Sequence, residues 1–242
     1  MNLFVGLDHL ASLREAGGTR DPDPVIAGAL AELGGAGGLS ISVGREGNGV
    51  QERDLRLLRE TTRTVLNVCL PPADEWVKLA LAVRPDLATL IPEGREGSGT
   101  ERGLDVENRR GELSPIIQTL KSGRITVSVL VNPAPAQVKA AHRVGAEGVL
   151  LHTGRFCWAG DAESRTAEFD GLVSAARIGH KLGLAVHAAG GLGFQTAGHV
   201  VEVSEIEAVY VGHALIARAA LVGMEAAVRE FLRILGQAAG GR

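Results

Sequence analysis

Cysteine is almost missing from this 242-residue chain: Cys69 and Cys157 are the only two, and they lie far apart. That excludes a disulfide framework, and no His/Cys grouping has metal-ligand spacing, so no metal is expected. Aromatic residues make up 3% of the chain, which leaves Leu, Val, Ile and Ala to build the interior. A basic excess is also lacking. The 25 Lys and Arg against 28 Asp and Glu leave a formal charge of −3 and a pI near 6.2, so no electrostatic footprint for nucleic acid or an anionic membrane is expected. No apolar run reaches the ~18 residues of a membrane span. The N-terminus meets Asp8 and His9 before a signal-length apolar core forms. These absences together predict a protein of a reducing, cytoplasmic compartment.

Glycine, by contrast, is abundant at 33 residues, and 45% of the chain is hydrophobic with a mean hydropathy of +0.12. Strand-like apolar runs alternate with helical patterns from end to end, without a break in composition. The runs are Leu3–Leu7, Leu39–Val43, Val65–Leu70, Leu87–Ile91, Ile125–Val131, Gly148–Leu151, Leu184–His187 and Ala208–Val211. Helical patterns cover Val25–Leu33, with Asp23 as N-cap and Pro24 at the first position, and Glu52–Thr61. Others lie around Glu75–Val83 (ended by Pro85), Leu113–Leu120, Ala136–Val144, Ala162–Leu182 and Ala197–Val203, with an apolar stripe from Met224 to Leu235 at the C-terminus. This order predicts a single (β/α)8 TIM barrel, α/β in class, forming one domain over residues 1–242.

Two late glycine turns organise the reading of the site. Val209-Tyr210-Val211 runs into Gly212-His213 and a helical pattern, and the run before it leads to Gly190-Gly191. Backbone N–H groups at such strand-to-helix junctions bind anions, and barrels commonly grip phosphate after their last two strands. The alternative is that these glycines only close turns. Asp8, His9, Cys69, His152 and His187 fall at or near strand ends and are candidates for proton transfer or nucleophilic chemistry. Each has a plain alternative: Asp8-His9 as a loop cap, His152 as a turn ligand, Cys69 as a small buried hydrophobe. His142, His180 and His199 fall in helical patterns and read as surface residues. The polar, glycine-rich stretch Pro92–Asp105 reads as a lid.

The segments Val5-Gly-Leu-Asp-His-Leu-Ala-Ser-Leu-Arg14, Asp21-Pro-Asp-Pro24, Arg53-Asp54, Ile91-Pro-Glu93, Gly103-Leu-Asp-Val106, His152-Thr-Gly154 and Val211-Gly-His-Ala214, taken in order, resemble the pyridoxine 5′-phosphate synthase family. The resemblance implies a (β/α)8 barrel, often octameric. It also implies condensation of 1-deoxy-D-xylulose 5-phosphate with 3-amino-2-oxopropyl phosphate, releasing phosphate and water, with no organic cofactor. Phosphate-binding roles then fall to Arg45, Thr100, Gly190, Gly191, Gly212 and His213. Against the family pattern, Ser42, Cys69 and Gly190 stand where the resemblance implies a histidine, a glutamate and a histidine. Gly6, Gly17, Gly49 and Gly99 likewise replace substrate-holding side chains, although Thr100 adjoins the last of these. The expectation is a divergent barrel that binds a phosphorylated small molecule and is repurposed for another condensation, elimination or ring-forming reaction. The alternatives are the orthodox synthase and a non-catalytic phosphate-ester binder.

Overall fold

The computed structural model describes residues 1–44, 49–93 and 102–240, the last three by backbone only. Its elements begin β1 (Asn2–Gly6), α1 (Asp8–Gly17), α2 (Pro24–Leu33), β2 (Gly38–Ser42), α3 (Glu52–Thr61), β3 (Val65–Leu70) and α4 (Asp74–Val83). They continue β4 (Leu87–Leu90), α5 (Arg110–Ser122), β5 (Thr126–Val131), α6 (Pro135–Arg143), β6 (Gly148–His152), α7 (Gly154–Cys157) and α8 (Ala162–Lys181). The last are β7 (Ala185–Ala189), α9 (Ala197–Val201), β8 (Ala208–Val211), α10 (His213–Val222) and α11 (Met224–Gly240).

The eight strands pair in parallel, each with the next, and β8 closes on β1. The barrel expected from the alternating pattern is the barrel observed. The period-two alternation of the strands separates two apolar populations. Val5, Ile41, Val68, Val129, Val186 and Val209 point outward and pack under the helices. Phe4, Cys69, Ile91, Leu130, Leu150, Ala208 and Tyr210 pack with one another in the lumen. Size is matched across the register there. Phe4 pairs with Gly38, and a β-carbon on Gly38 would lie 2.4 Å from the Phe4 ring. The Phe4 and Tyr210 rings stack at 4.4 Å.

One local expectation needs correction. Asp8 and His9 do not sit in a loop but open α1, whose buried face is Leu10, Ala11 and Arg14. That face includes an arginine, so its hydrophobic period was hard to see. Helix α4 ends at Val83 as expected, with Arg84 as a left-handed C-cap at φ 55° directly before Pro85. The end of the stretch read as a lid is anchored. Gly103 N–H donates to Asn132 Oδ1 at 2.9 Å and Leu104 N–H to the Leu130 carbonyl at 2.7 Å, with Leu104 buried. Residues 94–101 of that stretch lie outside the described residues.

The buried Arg14 is explained by Asp54 at the third position of α3. Two guanidinium–carboxylate bonds of 2.9 and 2.6 Å join them, and Arg14 also donates to the Gly49 carbonyl at 2.7 Å. Burial by itself pushes the Asp54 carboxyl up, but hydrogen bonds from Arg14 and the Gln51 N–H outweigh it and hold it below the usual carboxylate range. The pair pins the start of α3 to α1, under the mouth of the barrel. Asp54→Asn leaves the Arg14 charge buried without its counter-ion and is expected to cost about 3–5 kcal/mol. Urea denaturation at pH 7 measures this directly. A loss below about 1 kcal/mol would show the pair to be dispensable.

Candidate functional site

The C-terminal strand ends face one mouth, and short contacts hold neighbouring ends in register. Asp8 Oδ1 accepts the Ser42 N–H at 2.6 Å, so it brackets the ends of β1 and β2. Thr153, just past β6, donates its N–H to the Ala189 carbonyl at 2.7 Å and its hydroxyl to the Gly190 carbonyl at 2.5 Å. This ties β6 to β7. The β1 and β8 ends nearly touch, since a β-carbon on Gly6 would lie 3.1 Å from the Gly212 Cα.

The two glycine turns converge. A β-carbon on Gly193, beyond β7, would lie 3.2 Å from the Ala214 β-carbon in the first turn of α10. Gly190 and Gly191 both have positive φ, 104° and 69°, a conformation that costs other residues free energy. Space is closed there as well. A β-carbon on Gly190 would meet His152 Nε2 at 2.8 Å, and one on Gly191 would meet the Cys157 β-carbon at 2.9 Å. Gly212 instead is an N-cap at φ −106° whose added β-carbon would meet only ordinary contacts, the nearest being His9 Cδ2 at 3.4 Å. The Gly212 carbonyl accepts the Leu215 and Ile216 N–H groups. Helix geometry leaves the N–H groups before them without intrahelical acceptors, at the positive end of the α10 dipole.

The candidate histidines divide among three neighbourhoods. His9 and the exposed His213 form an edge contact at 5.2 Å beside Gly212. His152 is buried between Gly190 and Trp158, its ring 6.4 Å from the indole. His187 lies two residues before the end of β7, because the strand runs on to Ala189, and so it sits in the lumen. Its Nδ1 faces the Tyr210 hydroxyl at 3.3 Å. His142, His180 and His199 are exposed, as expected.

Cys69 is buried in a polar seam across β2, β3 and β4. Asn67 Nδ2 donates to Ser40 Oγ at 3.0 Å and lies 3.2 Å from Cys69 Sγ, while Thr89 donates to Asn67 Oδ1 at 2.8 Å. Arg45 and Thr100 fall outside the described residues. Among the described residues no three of His, Cys, Asp and Glu converge to hold a metal ion, and no helix is long and apolar enough to cross a membrane.

The lumen is therefore charge-poor. Burial lowers the His187 imidazole to about 4, so it is neutral at pH 7. Burial, with the Cys69 sulfur as a lesser contributor, raises the Tyr210 hydroxyl well above its ordinary value. The sign for stability follows. The unfolded chain binds a proton at His187 near the ordinary pKa of about 6.5, and the folded chain does not until about 4. Stability at this residue is complete above about pH 6.5 and falls as the pH drops towards 4, by at most about 3 kcal/mol. His187→Phe is expected to flatten that part of the urea-midpoint-against-pH curve. An unchanged slope between pH 6.5 and 4 would show that His187 titrates as it does in water.

Sequence reasoning missed the Ser40–Asn67–Thr89 seam, Tyr210 and Trp158. The first two had a signal, since alternate positions along each strand must face the lumen. Trp158 had none, because its place over Gly154 and Gly191 depends on how α7 packs.

The chain matches the family described as "Pyridoxal phosphate biosynthesis protein PdxJ" over residues 3–237. It is 45% identical to the pyridoxine 5′-phosphate synthase of Syntrophotalea carbinolica, covering 98% of this chain and 99% of that protein. It is 42% identical to the one from Syntrophobacter fumaroxidans, covering 96% and 98%. Among solved structures, one titled "Native KDPGal structure" superposes with a TM-score of 0.68 at 13% identity over 99% of this chain and 97% of that one. That likeness speaks for the fold alone.

Proposed function

Because this chain belongs to the pyridoxal phosphate biosynthesis protein PdxJ family, we propose that it binds a phosphorylated small molecule at the ends of β7 and β8. Its reaction would be of the family's type: condensation, elimination or ring formation. The observation that carries the phosphate site is the convergence of the Gly190–Gly193 turn on the first turn of α10. Gly191, Gly212 and His213 would receive the phosphate through backbone N–H groups and the helix dipole. His9 stands beside them, and Asp8 keeps β2 in register with β1. A soak with a phosphate ester tests this: density at Gly191 and Gly212 supports the site, and density elsewhere removes it.

For the reaction, the relatives' names favour pyridoxine 5′-phosphate synthesis itself, and that activity is the first to assay. A second reading is an altered reaction, with His152, His187 or Cys69 taking new parts, or binding without turnover. It is favoured by the neutral lumen, where Cys69 lies in a hydroxyl–amide seam and Gly190 has His152 in the space of its missing side chain. On that second reading, pyridoxine 5′-phosphate synthesis itself is slow.

We also propose a cytoplasmic homo-oligomer. Ile26, Leu30 and Leu33 leave an exposed apolar face on α2, and the family resemblance implies an octamer. Light scattering at a monomer mass would overturn it.

A further inference from the structure

One aromatic side chain at the mouth breaks the pattern of burial. Among the described residues Trp158, directly after α7, is 60% exposed, whereas every Phe, Tyr210 and Trp76 is buried or half-buried. It lines a cavity of about 620 Å3 with Arg102, Asn132, Gly154 and Arg155. This is within the size range of small-ligand pockets. We infer that Trp158 is a stacking platform for an aromatic nitrogen ring carried by the phosphate ester at the glycine turns, and so selects ring-bearing esters over open-chain ones. The inference rests on the proposed phosphate site at β7 and β8 and deepens it, because ring formation turns an open-chain ester into such a ligand.

The indole is held in place. A β-carbon on Gly154 would lie 2.6 Å from its Cζ3, and one on Gly191 would lie 3.0 Å from its Cε2. These atoms stand on opposite sides of the six-membered ring, so a side chain at either glycine would displace it. The Trp158 N–H donates to the Gly154 carbonyl at 2.9 Å, and the ring meets that of His152 edge-on at 6.4 Å. A ring fixed in this way gives up little conformational freedom when a ligand covers it. Its open surface is apolar surface left in water, which gains from burial.

The surroundings decide what lies on the indole. Gly191 belongs to the phosphate grip and also lies against the indole, so a ring joined to the phosphate through a methylene group comes within reach of it. Offset-stacked rings place their centroids about 4.5–7 Å apart. A cation over the indole is opposed by the two guanidinium groups of Arg102 and Arg155 on the same wall. Of these, Arg155 is partly offset by Glu168, 3.2 Å from its Nε. With its Oδ1 accepting the Gly103 N–H, Asn132 keeps an amide NH2 to donate to a ring substituent. A ring that bears oxygen substituents matches both the indole and the donors around it.

The test compares pyridoxine 5′-phosphate with ribulose 5-phosphate by calorimetry and proton NMR. W158L is expected to weaken the pyridine ester about tenfold and to leave the open-chain ester unchanged, with W158F recovering most of the loss. In the wild-type protein the 2-methyl protons of the pyridine should move upfield on binding, and that movement should be absent in W158L. Equal losses for the two esters, no loss for the pyridine ester, or an upfield shift that survives in W158L would overturn the platform. A second arm separates it from the glycine site by using pyridoxine, which has no phosphate. Its 2-methyl protons should show the same shift at higher concentration in the wild type and in G212D, and not in W158L. Absence of that shift in the wild type overturns the platform, whereas failure of both phosphate esters to bind overturns only the glycine-turn reading.

Discussion

If the reaction is altered, the purified protein supplied with 1-deoxy-D-xylulose 5-phosphate and 3-amino-2-oxopropyl phosphate forms pyridoxine 5′-phosphate at least about 10³-fold more slowly than a relative with the full set of acid–base groups. Ring closure moves several protons, and each positioned acid or base contributes about 10²–10⁴-fold. Ser42, Cys69 and Gly190 occupy the places where the resemblance implies two histidines and a glutamate. Serine and glycine do not titrate near neutrality, and Cys69 is surrounded by Ser40 and Asn67. Independent losses at the low end would reach about 10⁶-fold, or about 8 kcal/mol of barrier. Groups that act as a unit lose less than their sum. A deficit of about 10³-fold would still turn ~10 events per second into roughly one every couple of minutes. The assay follows product and released phosphate together. Turnover equal to that of the relative would restore the orthodox synthase as the function.

The second large effect is on binding. Gly212→Asp is expected to weaken a phosphate ester on the order of 100-fold, about 2.7 kcal/mol, by setting a carboxylate against the phosphate at the helix start. The fold should tolerate it. Gly212 has negative φ and its added β-carbon meets nothing closer than 3.4 Å. Gly190→Ala would be a poorer probe, because strain at φ 104° and the 2.8 Å contact with His152 mix stability with binding. Calorimetry with circular dichroism separates the two effects. Unchanged affinity in a folded G212D protein would remove the phosphate grip from β8.

What the sequence alone determined is the repetitive part of the molecule. Eight apolar runs alternating with helical patterns, Asp23-Pro24 at a helix start and glycines after the last two strands are local signals. They rest on backbone preferences and side-chain period, which do not depend on distant partners. The α2 cap followed directly, with Asp23 accepting the Val25 N–H at 2.8 Å. The mouth itself was legible as a set of strand ends. Its internal grouping was not. Whether His187 stands at the rim or in the lumen turns on two residues of strand length, and strand ends depend on pairing with β6 and β8. Arg14 reads as a surface residue until Asp54, 40 positions away, is brought against it. Arg102 and Arg155 share a cavity only because Gly103 lets its segment press on β5 while α7 turns back over β6. Such meetings between residues distant in sequence are made by barrel closure, and so only the tertiary structure decided them.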